Sequence, residues 1–351
     1  MSDENTNKED YSDEDIVSEF SSKKPSMARR VFFKLWMFLL ISAFLVSGGA
    51  LVYKTGFTYS QVWTNGEDIS GLLPLSESTP QPDANRLNVL LLGLRGEDDP
   101  NGGLLTDSLI LLSIDLKNKK AAMISIPRDL YIKMPGEEKK EKINFAHALG
   151  YQKKGSAGGL FFSKVAISKI TGLYIDYAVS IDHEAFREIV DILGGIDITL
   201  ERPFREDSQF SKEMIIDLPA GENHLNGTTT LYFVRSRFST SDFDRAKRQQ
   251  QVLVAVKEKA FSLGVLANPV KIFQILDSLG KNVRTDMPIS KVAELVSLVS
   301  GFENRDIKHK VFDTTPEGFL YDSKTESGAY ILLPVGDEFS KIQEYCRNIF
   351  K

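Results

Sequence analysis

Five of the fourteen residues from Arg235 to Arg248 are cationic, and four of them are arginines. An arginine does not shed its proton, so crowded guanidinium groups stay costly unless something anionic meets them. Planar guanidinium groups grip phosphate oxygens two at a time, and a helix N-terminus adds backbone donors to the same ligand. The chemistry this predicts is the binding of a phosphate, or of a pyrophosphate with oxygens enough for several arginines. Spacing alone leaves a second reading open: a solvated, salt-bridged helix start, with Asp242 and Asp244 neutralising part of the charge.

Two elements must position these groups. The apolar Leu231-Tyr232-Phe233 before Val234 predicts a strand near 229–235, whose period-two alternation puts Arg235 and Arg237 on one face. Asp242-Phe243-Asp244-Arg245 opens a helix, and Arg245, Arg248 and Gln249 then fall at i, i+3 and i+4 on one surface. Two more segments flank apolar strands: Ser125-Ile126-Pro127-Arg128-Asp129 follows one, and Leu105-Thr106-Asp107-Ser108 precedes another. Open α/β sheets gather their sites at such strand ends, although each of these carboxylates alone reads as readily as a cap or turn residue.

The elements around them mix helix and strand. Apolar runs at 87–92, 108–114 and 121–126 are unbroken on both faces, as in strands covered from both sides. Further strands are predicted near 176–181, 196–200, 308–313 and 329–333, and helices near 160–171, 183–193, 245–263, 289–300 and 337–350. Gly194-Gly195 reads as a turn before the strand at 196, and Asn226-Gly227 as a tight turn. The fold class is therefore α/β: a three-layer α/β/α sandwich around a mixed central sheet, over 86–351.

Composition narrows the chemistry by exclusion. At 42% hydrophobic and 26% charged the chain of 351 residues is ordinary globular protein, and its net charge of −5 gives no basic surface for nucleic acid. One cysteine, Cys346, permits no internal disulfide and no cysteine zinc site, and reads as a small buried hydrophobe. The four histidines (His147, His183, His224, His309) show no HExxH spacing, and GxxxxGK[ST], GxGxxG and GxSxG are missing too.

The N-terminal region has a different character. Residues 1–30, rich in Asp, Glu, Ser, Asn and Lys, read as a disordered cytoplasmic tail. Leu35 to Tyr53 is free of charge, and as a helix it spans about 28 Å, close to the bilayer hydrocarbon. Lys23, Lys24, Arg29, Arg30 and Lys34 precede it, whereas Lys54 is the one base close behind. The positive-inside rule then makes 31–53 a single-pass transmembrane signal anchor, with the N-terminus cytoplasmic and the remainder extracytoplasmic. Residues 54–85, with glycines and prolines among Ser and Thr, read as a linker.

In order along the chain stand Asn88-Val-Leu-Leu-Leu-Gly93, Leu105-Thr-Asp-Ser108, Ser125-Ile-Pro-Arg-Asp129, and Lys142-Ile-Asn144 with His147-Ala-Leu-Gly150. Then follow Val190-Asp-Ile-Leu-Gly-Gly195, Gly221-Glu-Asn-His-Leu-Asn-Gly227, Tyr232-Phe-Val-Arg-Ser-Arg237, and Asp242-Phe-Asp-Arg245 with Arg248-Gln-Gln250. This series over 87–250 resembles the LytR-CpsA-Psr phosphotransferases, enzymes of the bacterial cell membrane. The resemblance implies transfer of a glycopolymer from an undecaprenyl pyrophosphate carrier to a wall acceptor such as peptidoglycan, beside the bilayer and without nucleic acid. It implies Asp107 as the carboxylate for metal or nucleophile activation, and Arg128, Arg235, Arg237 and Arg245 as the pyrophosphate grips. Gln249 and Arg248 become substrate contacts, Asp129 and Asp242 orient arginines or metal, and Mg²⁺ (or Mn²⁺) bridges the pyrophosphate. The prenyl chain would lie in an apolar tunnel, for which Phe161, Phe162 and Val165 are candidates, core packing being the equal alternative. Lys142 and Asn144 read as loop-shaping residues.

One departure stands out. Where the family carries Gly-x-Asp for the metal, this chain has Gly93-Leu94-Arg95, then Glu97, Asp98 and Asp99. An acidic residue of that loop, Asp98 for one, takes over the metal, or Arg95 supplies charge against the phosphate. Two other readings stay open: hydrolysis of the pyrophosphate by water, and binding of the lipid without turnover.

Overall fold

The computed structural model describes residues 79–97, 99–100, 102–210, 215–264, 282–300 and 302–351, with isolated positions at 64, 71, 72, 275 and 280. The tail at 1–30, the anchor at 31–53, most of the linker at 54–85 and Asp98 lie outside the described residues. Among the described residues no helix is long and apolar enough to cross a membrane.

The three unbroken apolar runs form the middle of the sheet. β1 (Arg86–Leu94), β2 (Thr106–Asp115) and β3 (Lys120–Ser125) pair antiparallel in succession. A hairpin of β4 (Tyr131–Lys133) and β5 (Lys140–Lys142) leads to α1 (Phe145–Thr171). β6 (Tyr177–Ile181) joins β1 in parallel, followed by α2 (His183–Ile192) and β7 (Ile196–Leu200). Next come β8 (Phe204–Glu206), β9 (Ile216–Leu218) and β10 (Gly221–Leu225), then α3 (Gly227–Arg235) and α4 (Asp242–Ser262). β11 (Val283–Thr285), α5 (Ile289–Ser300) and β12 (Ile307–Val311) follow; the hairpin β13 (Leu320–Lys324)–β14 (Tyr330–Pro334) and α6 (Ser340–Asn348) end the chain. The central sheet is mixed, in the order β11-β6-β1-β2-β3-β12.

Strand periodicity divides the core. Leu90, Leu92, Leu109, Leu111, Ala122 and Ile124 pack with Leu160, Ile167 and Ile170 of α1 and Ile342 and Cys346 of α6. The alternate residues Leu91, Ile110, Ile114, Ala121 and Met123 pack with Leu253 and Val254 of α4 and Leu295 of α5. Both faces of the sheet are therefore covered, which explains why its strands read as unbroken apolar runs. Cys346 is fully buried, and burial pushes its thiol up to about 12.

Two expectations need correction. The segment 229–235 is the helix α3, not a strand. Asn226 caps it by accepting from the Thr229 N–H at 2.8 Å, and Gly227, Thr230, Phe233 and Val234 are buried at helical spacing. A short apolar run carries no period of its own, and the cap decides. The helix near 160–171 begins at Phe145, with a break at Lys154-Gly155 that lets Gly150 and Gly158 pack backbone to backbone. Gly194 and Gly195 do form the turn, both with positive φ.

His147 lies within this framework, 2% exposed, its Nδ1 3.1 Å from the Leu104 carbonyl and its ring against Gly159. Burial lowers its pKa to about 4, despite the carbonyl that favours the charged ring. A histidine depressed in the folded state contributes stability that is complete above its unfolded pKa of about 6.5 and is lost as pH falls toward 4. Urea unfolding of the purified protein should show this loss between pH 6.5 and 4, with a ceiling of about 3 kcal/mol for this residue. His183, also lowered to about 4, acts in the same window, so His147→Gln should reduce the slope and not abolish it.

Candidate functional site

β1 and β2 pair in register as far as Gly93 with Ser108; the next pair is Leu94 with Thr106, leaving Asp107 as the extra residue of a bulge. A bulge re-aims the side chain it carries. Gly93 keeps the strands close, since a Cβ there would stand 3.0 Å from the Ser108 Cβ.

Asp107 binds three arginines from three segments. One carboxylate oxygen accepts from Arg128 Nη1, and the other accepts from Arg95 Nε at 3.0 Å. Its main-chain oxygen accepts from Arg245 Nη2 at 3.2 Å. Arg128 leaves the end of β3 and Arg95 the end of β1, whereas Arg245 rises from the first turns of α4. Asp242 stands 2.8 Å from Arg245 Nη2 and 4.0 Å from Arg128 Nε; Asp129 is 3.7 Å from that same nitrogen. Ser241 caps α4 by accepting from the Asp244 N–H at 3.0 Å. The helix thus directs its N-terminal dipole at the arginine cluster.

Burial alone would raise the Asp107 carboxyl, but the Arg128 and Arg95 guanidinium groups, with Arg245, hold it below its usual value. Burial depresses Arg128 less than Asp107, Asp242 and Asp129 together raise it. Arg245 is different: burial dominates and lowers its pKa, and Arg128 and Arg237 push the same way. Arg128 Nε and Arg245 Nε are buried without a hydrogen-bond acceptor among the described residues. Asp242 Oδ1 is likewise buried without a hydrogen-bond partner, so the orphaned atoms are of both kinds, two donors and one acceptor.

Arg235 and Arg237 arrive differently from the period-two expectation. Arg235 ends α3, Ser236 breaks into an extended conformation, and Gln209 holds the segment beyond. The Gln209 amide donates to the Arg235 carbonyl at 2.9 Å, and its oxygen accepts from the Arg237 N–H at 2.6 Å. Fully buried Glu206 supports this staple by accepting from the N–H and hydroxyl of both Ser208 and Ser239. Those donors outweigh the burial that would raise its carboxyl, and hold it low. Nothing in the sequence singles out Glu206 or Gln209, because Ser239 and Arg237, which tie them to the segment beyond α3, lie about 30 residues away.

Arg95, Asp107, Arg128, Arg235, Arg237, Arg245 and Gln249 all line one cavity of about 150 Å³. Leu91, Ile110, Ile181, Phe186, Leu231, Val252 and Leu253 line its apolar part. His183, unremarked in the sequence, also lines it; burial and Arg235 lower this ring to about 4 and keep it neutral. Asp129 and Asp242 stand behind the arginines and not on the wall. Arg248 does not reach the cavity: its donors go to the carbonyls of Phe233 and Ser236 and to Thr240 Oγ1, and its guanidinium lies over the rings of Phe204 and Phe233. Phe161, Phe162 and Val165 are likewise not among the lining residues; Phe162 and Val165 are buried in the core. Asn144 shapes the loop, as expected, with its carbonyl accepting from the Thr106 N–H at 3.1 Å.

Residues 54–348 match the LytR_cpsA_psr family. The chain belongs to the LytR-CpsA-Psr family. Oceanobacillus iheyensis has a relative of this LytR-CpsA-Psr protein named polyisoprenyl-teichoic acid–peptidoglycan teichoic acid transferase TagU, 31% identical over 301 residues, with 82% of this chain and 87% of the relative covered. A Bacillus cereus protein of the same name is 29% identical over 271 residues, covering 74% and 80% respectively. The crystal structure of Bacillus subtilis TagV has the same fold, with a TM-score of 0.59 and 27% identity over 76% of this chain and 98% of that one.

The site geometry separates two neighbouring arginines of this LytR-CpsA-Psr protein. Arg245→Ala removes a charged contact worth about 1.5–3 kcal/mol, and should weaken inorganic pyrophosphate binding by roughly 10–150-fold in calorimetry. Arg248→Ala, which uncaps α3, should lower the melting temperature and leave that affinity nearly unchanged once the protein is folded.

Proposed function

We propose that this chain is a membrane-anchored phosphotransferase that moves a glycopolymer from a polyprenyl pyrophosphate carrier onto a cell-wall acceptor such as peptidoglycan. The observation that carries the reading is the convergence of five arginines on the wall of one otherwise largely apolar cavity. A polyprenyl pyrophosphate has the same two halves, an alkyl chain and a polyanion. The names of the relatives support the choice of substrate and acceptor.

The residues suit such a transfer. Phosphoryl transfer needs positioning and charge stabilisation above all. Arg128, Arg235, Arg237 and Arg245 grip the pyrophosphate, Arg95 adds a fifth positive charge, and Gln249 is a polar contact. Asp129 and Asp242 orient Arg128 and Arg245. Asp107 has both oxygens engaged, so its part is to hold Arg95 and Arg128 in place. The acceptor hydroxyl oxygen attacks the glycan-side phosphorus, and the bond from that phosphorus to the bridging oxygen breaks. Polyprenyl monophosphate leaves with the electron pair, and its phosphate takes up the proton released by the hydroxyl. The cavity is smaller than the roughly 300–1,000 Å³ usual for ligand sites, so admitting a prenyl chain requires its apolar part to widen.

Magnesium (or manganese) belongs to the proposal on narrower grounds. Among the described residues no three His, Cys, Asp or Glu side chains gather to hold a metal ion. With Asp107 engaged by two arginines, the described residues alone do not fit a resident cation, and Asp98 lies outside them. Mg²⁺ takes one or two carboxylates and completes its shell with substrate phosphates and water, so its place is with the incoming pyrophosphate. The anchor at 31–53 supports a location at the bacterial cell membrane, with the catalytic region extracytoplasmic beside its lipid substrate.

The test uses the detergent-solubilised full chain with a polyprenyl-pyrophosphate saccharide and an acceptor glycan, with and without Mg²⁺. Polymer transfer should fall roughly 100-fold or more in Arg128→Ala and in Asp107→Ala. Phosphate release without transfer would instead identify a pyrophosphatase, and tight lipid binding without turnover a noncatalytic binder.

A further inference from the structure

Gln250 departs from the character of the layer it occupies. Leu253 and Val254 of α4 pack against Ile110, Ala121 and Met123 of the sheet, an apolar contact throughout. Gln250 stands one turn earlier on the same face of the helix. It is 2% exposed, and it sets a polar amide against that sheet. An amide taken out of water costs free energy unless its polar atoms find partners.

Every polar atom of this amide has one. Gln250 Nε2 donates to Ser125 Oγ at 2.7 Å, and also reaches the Lys310 carbonyl at 3.1 Å and the Met123 carbonyl at 3.2 Å. Two carbonyls beside it fix the orientation, because only the nitrogen end can meet them as a donor. The oxygen end then faces His309 Nδ1 at 2.9 Å, so that nitrogen carries a proton and donates. One side chain thereby joins α4 to two neighbouring strands, β3 and β12.

The place of this link along the chain gives it a consequence. Ser125, itself 3% exposed, ends β3 three residues before Arg128. Gln250 follows Arg245 by five residues, about 7.5 Å along α4. The amide therefore connects the strand that delivers Arg128 with the helix that delivers Arg245. Both arginines meet at Asp107, Arg128 on its carboxylate and Arg245 on its main-chain oxygen at 3.2 Å. Gln249 turns the other way and accepts from the Ser108 hydroxyl at 3.0 Å. Apolar packing has no direction, so Leu253 and Val254 by themselves tolerate a small slide of α4 over the sheet. Hydrogen bonds of set length and angle do not.

We propose that Gln250 is a positioning residue for the arginine site: it sets the height of α4 on the sheet, and through it the reach of Arg245 toward the pyrophosphate. The inference rests on the reading of that site as a pyrophosphate grip. Gln250 is not among the residues lining the cavity, and it touches no substrate atom.

The experiment compares two changes on α4 in the detergent-solubilised full chain. Gln250→Met keeps the length of the side chain and removes its hydrogen bonds. Val254→Ala loosens the same interface and removes none. Affinity for inorganic pyrophosphate, read by calorimetry, should fall roughly tenfold in Gln250→Met and stay within about twofold in Val254→Ala, whichever variant melts lower. In an Arg245→Ala background, Gln250→Met should cost less than about twofold, since the group it positions is already gone. A second measurement needs no ligand. With the arginine nitrogens isotope-labelled for NMR, the Arg245 Nε–H signal, assigned by its loss in Arg245→Ala, should move in Gln250→Met and stay in place in Val254→Ala. Affinity losses that follow melting temperature in both variants overturn the inference. So does a Gln250→Met loss that multiplies with that of Arg245→Ala, or an Arg245 signal that does not move. A wild type that binds no pyrophosphate would count against the reading of the site, with the Arg245 signal still deciding what Gln250 positions.

Discussion

The carboxylate of Asp107 holds together a cluster that its own charge would scatter. Five arginines line one cavity, and bare guanidinium groups at such density repel strongly in a partly buried setting. A single carboxylate joined to Arg95 and Arg128, with its main-chain oxygen on Arg245, makes the arrangement possible before any ligand arrives. Asp129 and Asp242 complete the compensation from behind. Compensation is partial. Among the described residues Arg128 Nε and Arg245 Nε are buried without a hydrogen-bond acceptor, and Asp242 Oδ1 is buried without a donor.

The rest of the fold can be understood as support for that cluster. The bulge at Asp107 exists where β1 and β2 separate, so the carboxylate turns out of the ladder at the edge where β1, β3 and β6 end. The cap at Ser241 fixes the start of α4 and hence Arg245. Arg248 is spent on the carbonyl end of α3, whose last residue is Arg235. One arginine thus serves structure so that another can face the ligand. Glu206 and Gln209 hold the segment beyond α3 by hydrogen bonds alone, which orders Arg237 without adding charge to the cavity.

Much of this was legible in the sequence, and the exceptions have identifiable causes. Unbroken apolar runs revealed the central strands because both sheet faces are covered. The arginines of 235–248 were legible because their spacing concentrates charge, whereas the roles expected of Asp107 and Arg128 came from the resemblance to the family. Arg235 and Arg237 were rightly grouped on a wrong argument: Leu231–Val234 is helical, and Asn226 caps a helix where a tight turn was expected. Arg248 was misjudged because helical spacing says which residues share a surface, not how far a long side chain swings round it. His183, Gln209 and Glu206 gave no signal, since burial and distant partners make them matter. The pairing of Arg95 with Asp107 was equally hidden; it turns an apparent loss of a metal ligand into a gain of fixed positive charge.

The central claim is that Asp107 and Arg128 act as one unit in pyrophosphate binding and transfer, and a double-mutant cycle measures that directly. Transfer rates would be compared for wild type, Asp107→Asn, Arg128→Ala and the double variant, each checked for folding. Strong non-additivity is predicted, with the double variant no worse than about threefold below Arg128→Ala, because removing either partner already disables the pair. Effects that multiply would contradict the account, showing that the carboxylate and the guanidinium work independently.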